Sequence, residues 1–272
     1  MERQQIGFIG AGAMAEAIIK GLIGNNIVAA NKIHVADISS KRLEYMQAQY
    51  GVNISTCNID LIDKVDTVVM AVKPQFFDAA VTAELSAKMP ATTLVVSIMG
   101  SVSIAQIQAK FPNNKIIRTM PNTPLAVGAG MTAIVAGAGV DPADLEFVCG
   151  IFAACGEMIV VTESQIEAVA AISGCGPGYV FMLIDALADG GVRAGLPRDV
   201  SIKLAAQTFM GAGKMQIETG IHPAVLRDQV TSPGGTTIAG ISTLEKYSVR
   251  SACIEAIDNV IKRSKEIMNE KK

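Results

Sequence analysis

Residues 6–19 read IGFIGAGAMAEAII, and no other stretch limits the fold of the chain as tightly. An apolar run ends in Gly10, Gly12 and Ala15 at G-x-G-x-x-A spacing, and an Ala-rich amphipathic run follows at once. That order fits a strand, a tight turn and a helix. The first glycine makes the bend, the second lets a pyrophosphate approach the backbone, and the small third residue lets helix and strand pack closely. The helix start adds unpaired N–H groups and the positive end of its dipole. Any tight strand-to-helix turn can carry such glycines. With a strand before it and a helix after it, the motif predicts dinucleotide binding at Gly10 and Gly12.

The same alternation continues to about Val161. QIGFIG, KIHVAD, VDTVVMAV, TTLVVSIMG, KIIRTMP and EMIVV read as buried strands, and MAEAIIKGLIG, SSKRLEYMQAQYG and SIAQIQAKF carry helical spacing. This repetition predicts a parallel sheet covered on both faces. Ser103 with Gln106 has capping-box spacing, and Gly51 suits the position just past a helix. After Val161 the strands stop. Thr162 with Gln165 is a second capping-box spacing, and helices are predicted over 163–173, 177–194, 198–219, 223–230, 236–246 and 249–270. The expected architecture is an α/β Rossmann-like dinucleotide-binding domain over residues 1–162, joined to an all-α dimerisation domain over 163–272. Helices this apolar on more than one face need further partners, and a second subunit is the expected one.

Composition removes several function classes. Charge is nearly balanced, 23 Lys plus Arg against 25 Asp plus Glu, without a basic run, so neither nucleic acid nor a membrane surface is an expected partner. The lack of Trp argues against a base-stacking platform. MERQQIGFIGAG does not read as a signal peptide, and no uninterrupted apolar run approaches about 18 residues. Five scattered cysteines without CxxC and only two histidines make a metal site unexpected. Free thiols in a reducing, cytoplasmic compartment are the expectation.

Further polar residues fall at predicted strand ends, where open α/β sheets bind ligands. Asp37 stands where an acidic residue bonds a ribose 2′-OH. Ser39, Ser40, Lys41 and Arg42 follow it and offer hydroxyls, charge and N–H groups to a 2′-phosphate. Lys41 and Arg42 also suit a solvated helix face, and the choice between NAD and NADP stays open. Lys73–Pro74 places a rigid, positive turn after VDTVVMAV, and TMPNTP ends a later strand. In the helical half, DQVTSPGGTTIAG sets Thr231, Ser232, Thr236 and Thr237 around Pro233, Gly234 and Gly235. By chemistry alone Ser232 or Thr236 caps a helix there. The same hydroxyls, glycine N–H groups and helix start also make an anion site without a basic side chain. Asp185 with Asp189, His222 and Cys175 read as interface, cap and packing residues.

GFIGAGAMAEAI, AVKPQ, MPNTP, SGCGPGYVF and DQVTSPGGTTIAGISTLE resemble, in order and spacing, the pyrroline-5-carboxylate reductase family over nearly the whole chain. The last stretch is that family's specific signature. The resemblance implies hydride transfer from NADPH, with NADH as the alternative, to the C5=N bond of 1-pyrroline-5-carboxylate. The product is L-proline, in the last step of proline biosynthesis. It implies a homo-oligomer with an interlocked dimer as building block, assembled into decamers in many members. It also implies an active site between the nucleotide domain of one chain and helical elements that include the partner's. Ala11, Gly12, Ala13 and Met14 are then expected along the pyrophosphate, Asn58 on the adenosine side, and Val72, Lys73 and Pro74 beside the ribose. Met120 and Asn122 are expected near the nicotinamide. Ser232, Gly235 and Thr236 are expected on the substrate carboxylate, with Thr237 on the ring nitrogen. Two other readings stand beside this one. A β-hydroxyacid dehydrogenase shares the plan, but GCGPGYVFMLID lacks the lysine and asparagine which that family carries there. A non-catalytic NAD(P)-sensing module explains the glycine turn and leaves the substrate loop unexplained.

Overall fold

The computed structural model describes residues 5–270; the first four residues, part of the stretch read above as no signal peptide, and the last two lie outside the described residues. The chain divides into two compact units: Cys175–Arg263 forms the second, and the first takes the residues up to Gly174 and those from Ser264.

The first unit is built on an eight-stranded sheet of order 3-2-1-4-5-6-7-8. Its strands are β1 (Ile6–Ile9), β2 (Ile33–Ala36), β3 (Asn53–Ser55), β4 (Thr67–Met70), β5 (Leu94–Ser97), β6 (Ile116–Met120), β7 (Gly130–Ala136) and β8 (Gly156–Val160). Successive side chains enter opposite faces. Leu94 and Val96 join one apolar cluster with Phe8 and Val35, whereas Val95 joins another with Val68 and Met70. Burial on both faces explains why these strands read as continuous apolar runs. The connecting helices are α1 (Ala13–Gly24), α2 (Ser40–Tyr50), α3 (Asn58–Ile62), α4 (Phe77–Ala80), α5 (Ala83–Lys88), α6 (Ile104–Lys110) and α7 (Pro142–Ala153). Their limits follow local chemistry. Gly51 ends α2 in the left-handed region at φ 69. At the start of α6 the Gln106 N–H donates to Ser103 Oγ at 3.2 Å, and the Ser103 N–H donates to Gln106 Oε1 at 2.9 Å.

The sheet is not wholly parallel, which corrects the expectation. β6 and β7 run antiparallel, with Met120 opposite Ala133. Only the 3-10 turn Thr123–Val127 joins them, ending at Gly128 with φ 72. That connection is too short for a crossover helix, so the chain reverses. Residues 163–173 also differ from the single helix expected there. They form a 3-10 turn (Glu163–Gln165), the short helix α8 (Ile166–Val169) and a π turn (Ala170–Gly174). The first unit continues past β8 because Ile166 is buried with Met120, Ala133 and Val135. The buried Arg118 of β6 also donates to Glu163 Oε1 at 2.8 Å.

Gly156 opens β8 at φ 143, and a Cβ there would lie 2.2 Å from the Gly130 carbonyl oxygen. Both a positive φ and a backbone collision oppose any side chain. Gly156→Ala is expected to destabilise the protein by about 3 kcal/mol or more, read as a fall in Tm. An unchanged Tm would show that the β7–β8 pairing is not fixed in this register.

The second unit comprises α9 (Gly176–Arg193), α10 (Arg198–Thr219), α11 (Pro223–Gln229), α12 (Thr236–Lys246) and the part of α13 (Val249–Glu270) up to Arg263. α9 and α10 approach closely enough that a Cβ on Gly191 would meet Ser201 Oγ at 2.6 Å. Among the described residues of this unit, only Ala188, Ser201 and Ala205 are buried, while Phe181, Met182 and Ile217 are each more than 60% exposed. Residues 163–193 are also long and apolar enough to cross a membrane by length and composition alone. A helical unit with so small a core of its own needs its apolar faces covered.

Candidate functional site

The chain order reverses at β1, which pairs with β2 on one side and β4 on the other. Ligands bind outside the carboxyl ends of the strands at such a point. A cleft of about 330 Å³ lies there, lined by Gly10, Gly12, Asp37, Asn58, Val72 and Lys73, among others. Gly10 closes its floor. It has φ 105, its N–H donates to the Ala36 carbonyl at 2.8 Å, and a Cβ would lie 2.7 Å from the Ala71 carbonyl oxygen. Gly12 is the N-cap of α1, with no side-chain cap, and a Cβ on it would meet nothing within 4 Å. The backbone N–H groups of Gly12, Ala13 and Met14 have no partner among the described residues. An open helix start beside a glycine that projects nothing into the cleft fits a diphosphate.

At the second strand end Asp37 lines the cleft, and its carboxylate is bonded to backbone on both oxygens. Asp37 Oδ2 accepts the Ala11 N–H at 2.7 Å, and Oδ1 accepts the Ser39 N–H at 2.9 Å. Ser39 Oγ accepts the Arg42 N–H at 3.3 Å and caps α2. Ser40 is the exposed first residue of that helix. Arg42 is neither a solvated side chain nor a free cation. Its Nε donates to the Ala11 carbonyl at 2.6 Å, its Nη2 pairs with Glu16 Oε2, and its guanidinium lies 4.8 Å over the Tyr45 ring. Glu16 Oε1 accepts from Tyr45 at 2.9 Å and from Tyr50 at 2.8 Å. Burial pushes the Glu16 carboxyl up, but hydrogen bonds from Arg42, Tyr50 and Tyr45 outweigh it and hold it below the usual range. Burial and the Glu16 carboxylate push the Tyr50 phenol above its ordinary value.

The remaining predicted residues separate. Asn58 Nδ2 donates to the Ala80 carbonyl at 3.1 Å at the cleft wall. Lys73 is exposed, and Pro74 faces a neighbouring hollow with Asp78 and Lys110. Ala11 is fully buried. Met120 packs into the cluster with Ile166, away from the cleft lining. Asn122 uses both ends of its amide: Nδ2 donates to the Ser173 carbonyl and Oδ1 accepts the Met131 N–H, each at 2.9 Å. It holds the π turn and β7 together. The sequence reading missed Ile38, fully exposed, and Phe76, 55% exposed, which both line the cleft as apolar surfaces. An apolar residue at a strand end carries no signal of exposure by itself.

In the second unit, Gly235 is the N-cap of α12 at φ −77, without a side-chain cap, and Thr236 is the first helical residue. Neither Ser232 nor Thr236 caps the helix. The Gly235 N–H donates to the Ser232 carbonyl at 3.0 Å, and Gly234 turns the chain at φ 66. Ser232 Oγ lies so close that a Cβ on Gly235 would be 2.3 Å from it. The hydroxyls of Ser232, Thr236 and Thr237 have no hydrogen-bond partner among the described residues, and all three residues are exposed. The N–H groups of Thr236, Thr237 and Ile238 also have no partner among the described residues. Three hydroxyls and three N–H groups without partners among the described residues thus lie at or beside one helix start, a set that suits an anion. His222 caps α11, its Nδ1 accepting the Ala224 N–H at 3.2 Å, and Asp189 pairs with Arg198 at 2.6 Å.

Comparison with known proteins gives two family matches. Residues 163–267 match the model for pyrroline-5-carboxylate reductase dimerisation, and residues 5–101 match the model for coenzyme F420-dependent NADP oxidoreductase. The chain is 47% identical over 265 residues to a pyrroline-5-carboxylate reductase of Synechocystis, covering 97% of this chain and 98% of that one. It is similar to the solved pyrroline-5-carboxylate reductase of Coxiella burnetii, with TM-score 0.92 and 36% identity, covering 97% and 98% of the two chains. It is also similar to the Plasmodium falciparum pyrroline carboxylate reductase solved with NADP bound, with TM-score 0.87 and 31% identity, covering 98% and 99%.

Proposed function

The chain belongs to the pyrroline-5-carboxylate reductase family, and from that premise we propose how its residues divide the work. It reduces 1-pyrroline-5-carboxylate to L-proline, with NADPH as reductant. When bound, the dinucleotide supplies the hydride that reduces the C5=N bond. The residues of the chain supply positioning, which accounts for much of the rate in such a transfer. Gly10 makes the tight turn against Ala71, and the N–H groups of Gly12, Ala13 and Met14 hold the diphosphate. Ile38 and Phe76 offer apolar surface to the adenine, and Asn58 lines the same cleft on the adenosine side. Val72, Lys73 and Pro74 flank the ribose.

On the second unit, Ser232, Gly235 and Thr236 bind the substrate carboxylate, and the Thr237 hydroxyl donates to the ring nitrogen. A threonine hydroxyl does not titrate near neutral pH, so Thr237 orients the imine and does not act as an acid by its own ionisation. The proton that balances the hydride ends on that nitrogen. The observation that carries this reading is the uncapped start of α12, where three free hydroxyls meet three free N–H groups. Pyrroline-dependent oxidation of NADPH, and proline-dependent reduction of NADP+ at high pH, test it. Absence of turnover in both directions with either coenzyme would instead indicate a sensing module.

A homo-oligomer follows from the same premise, with residues 163–272 as the dimerisation region and higher assembly, up to a decamer, built on that dimer. The exposed Phe181, Met182 and Ile217 support it. Sedimentation is expected to show a dimer or larger, and a monomer at micromolar concentration would overturn it. Five free cysteines fit a reducing, cytoplasmic setting.

A further inference from the structure

Arg42 reaches the coenzyme turn without lining the cleft. Ala11 sits between two glycines, so the turn has a freely rotating residue on each side. Its peptide groups are gripped by opposite charges: Asp37 accepts its N–H at 2.7 Å, and Arg42 Nε donates to its carbonyl at 2.6 Å. Arg42 is held in turn by Glu16 and by the face of Tyr45, and Glu16 is fixed by two phenols. The Arg42 guanidinium therefore has its Nε and one terminal nitrogen engaged, and one face covered. The side-on fork that Nε and Nη2 would offer a 2′-phosphate is thereby occupied.

We propose that Arg42 is a positioning residue for the coenzyme: acting through Ala11, it aims the free N–H groups of Gly12, Ala13 and Met14 at the diphosphate and does not read the 2′ substituent. This rests on the reading of the cleft as the dinucleotide site. The diphosphate is common to both coenzymes, so loss of the clamp weakens NADPH and NADH alike. Lysine is the telling substitution. It keeps the positive charge that a phosphate needs, but a point charge cannot donate to Ala11 and to Glu16 in the fixed geometry of a guanidinium.

The test is steady-state kinetics of the full chain with NADPH and with NADH for Arg42→Lys, Arg42→Met and Glu16→Gln. Each variant is expected to raise KM for both coenzymes by a common factor of about 5–50, with kcat and the pyrroline KM within about twofold of wild type. Arg42→Lys is expected to be no better than Arg42→Met. A loss confined to NADPH and restored by lysine would make Arg42 a phosphate reader and overturn the proposal. Unchanged coenzyme KM values, or a fall in kcat alone, would overturn it as well. Glu16→Gln does not touch the cleft and keeps the test alive if the Arg42 variants fold poorly. Wild-type turnover of the pyrroline in the same assay tests the underlying reading separately.

Discussion

Gly12→Ala is expected to leave the Tm of the protein unchanged while raising KM for NADPH by about 100-fold or more, and Gly10→Ala is expected to damage both. The two glycines are two residues apart in one turn, but they are constrained by different things. Gly12 has φ −67, which alanine adopts without strain, and its Cβ would meet no atom of the protein. Only a bound diphosphate would collide with it, so the penalty exists in the complex alone. Gly10 has φ 105, and its Cβ would strike the carbonyl carbon and oxygen of Ala71, backbone that cannot swing aside. That strain is present in the free protein and costs about 1–3 kcal/mol before any collision is counted. Coenzyme titration alongside thermal melting separates the two. Near-normal NADPH affinity in Gly12→Ala would mean that the diphosphate lies elsewhere and would remove the assignment of this cleft.

What could be read in the sequence was whatever depends on neighbours along the chain. β1, β4 and β5 announce themselves as apolar runs because both faces are buried. The capping box at Ser103 is complete within four residues. β3 was invisible, since Asn53–Ser55 is three residues long and half-buried. β7, Gly130–Ala136, is not among the strands read from the sequence either, and it runs antiparallel because its connection to β6 is too short for a crossover. The site divides in the same way. Gly10 and Gly12 line the cleft within one turn, whose residues are neighbours along the chain. Arg42 is bonded to Glu16, twenty-six residues away, and to the Ala11 carbonyl just past β1, which the pairing of β1 with β2 brings near it. In the sequence Arg42 suits either a 2′-phosphate or a solvated helix face; in the fold its guanidinium is bonded to the Ala11 carbonyl and to Glu16. Asn122 offers an amide to a ligand, and the fold gives each end of that amide one backbone partner, Ser173 or Met131.

Thr237→Ala is expected to lower kcat/KM for the pyrroline by roughly 10–1000-fold, with coenzyme affinity and Tm unchanged. Tm is unaffected because the hydroxyl has no partner among the described residues, so its removal costs the free fold nothing. It is also the second helical residue of α12, a position at which alanine is well tolerated. The loss falls on catalysis because the imine carbon accepts hydride more readily when its nitrogen holds a hydrogen bond, and that bond strengthens as charge develops. Thr237→Ser, which keeps the hydroxyl, is expected to recover most of the activity. Ser232→Ala is expected to act otherwise, raising the pyrroline KM with less change in kcat, since carboxylate binding contributes equally before and during transfer. If Thr237→Ala turns over like wild type, the hydroxyl has no part in the reaction. The free N–H groups at the start of α12 would then hold the carboxylate alone.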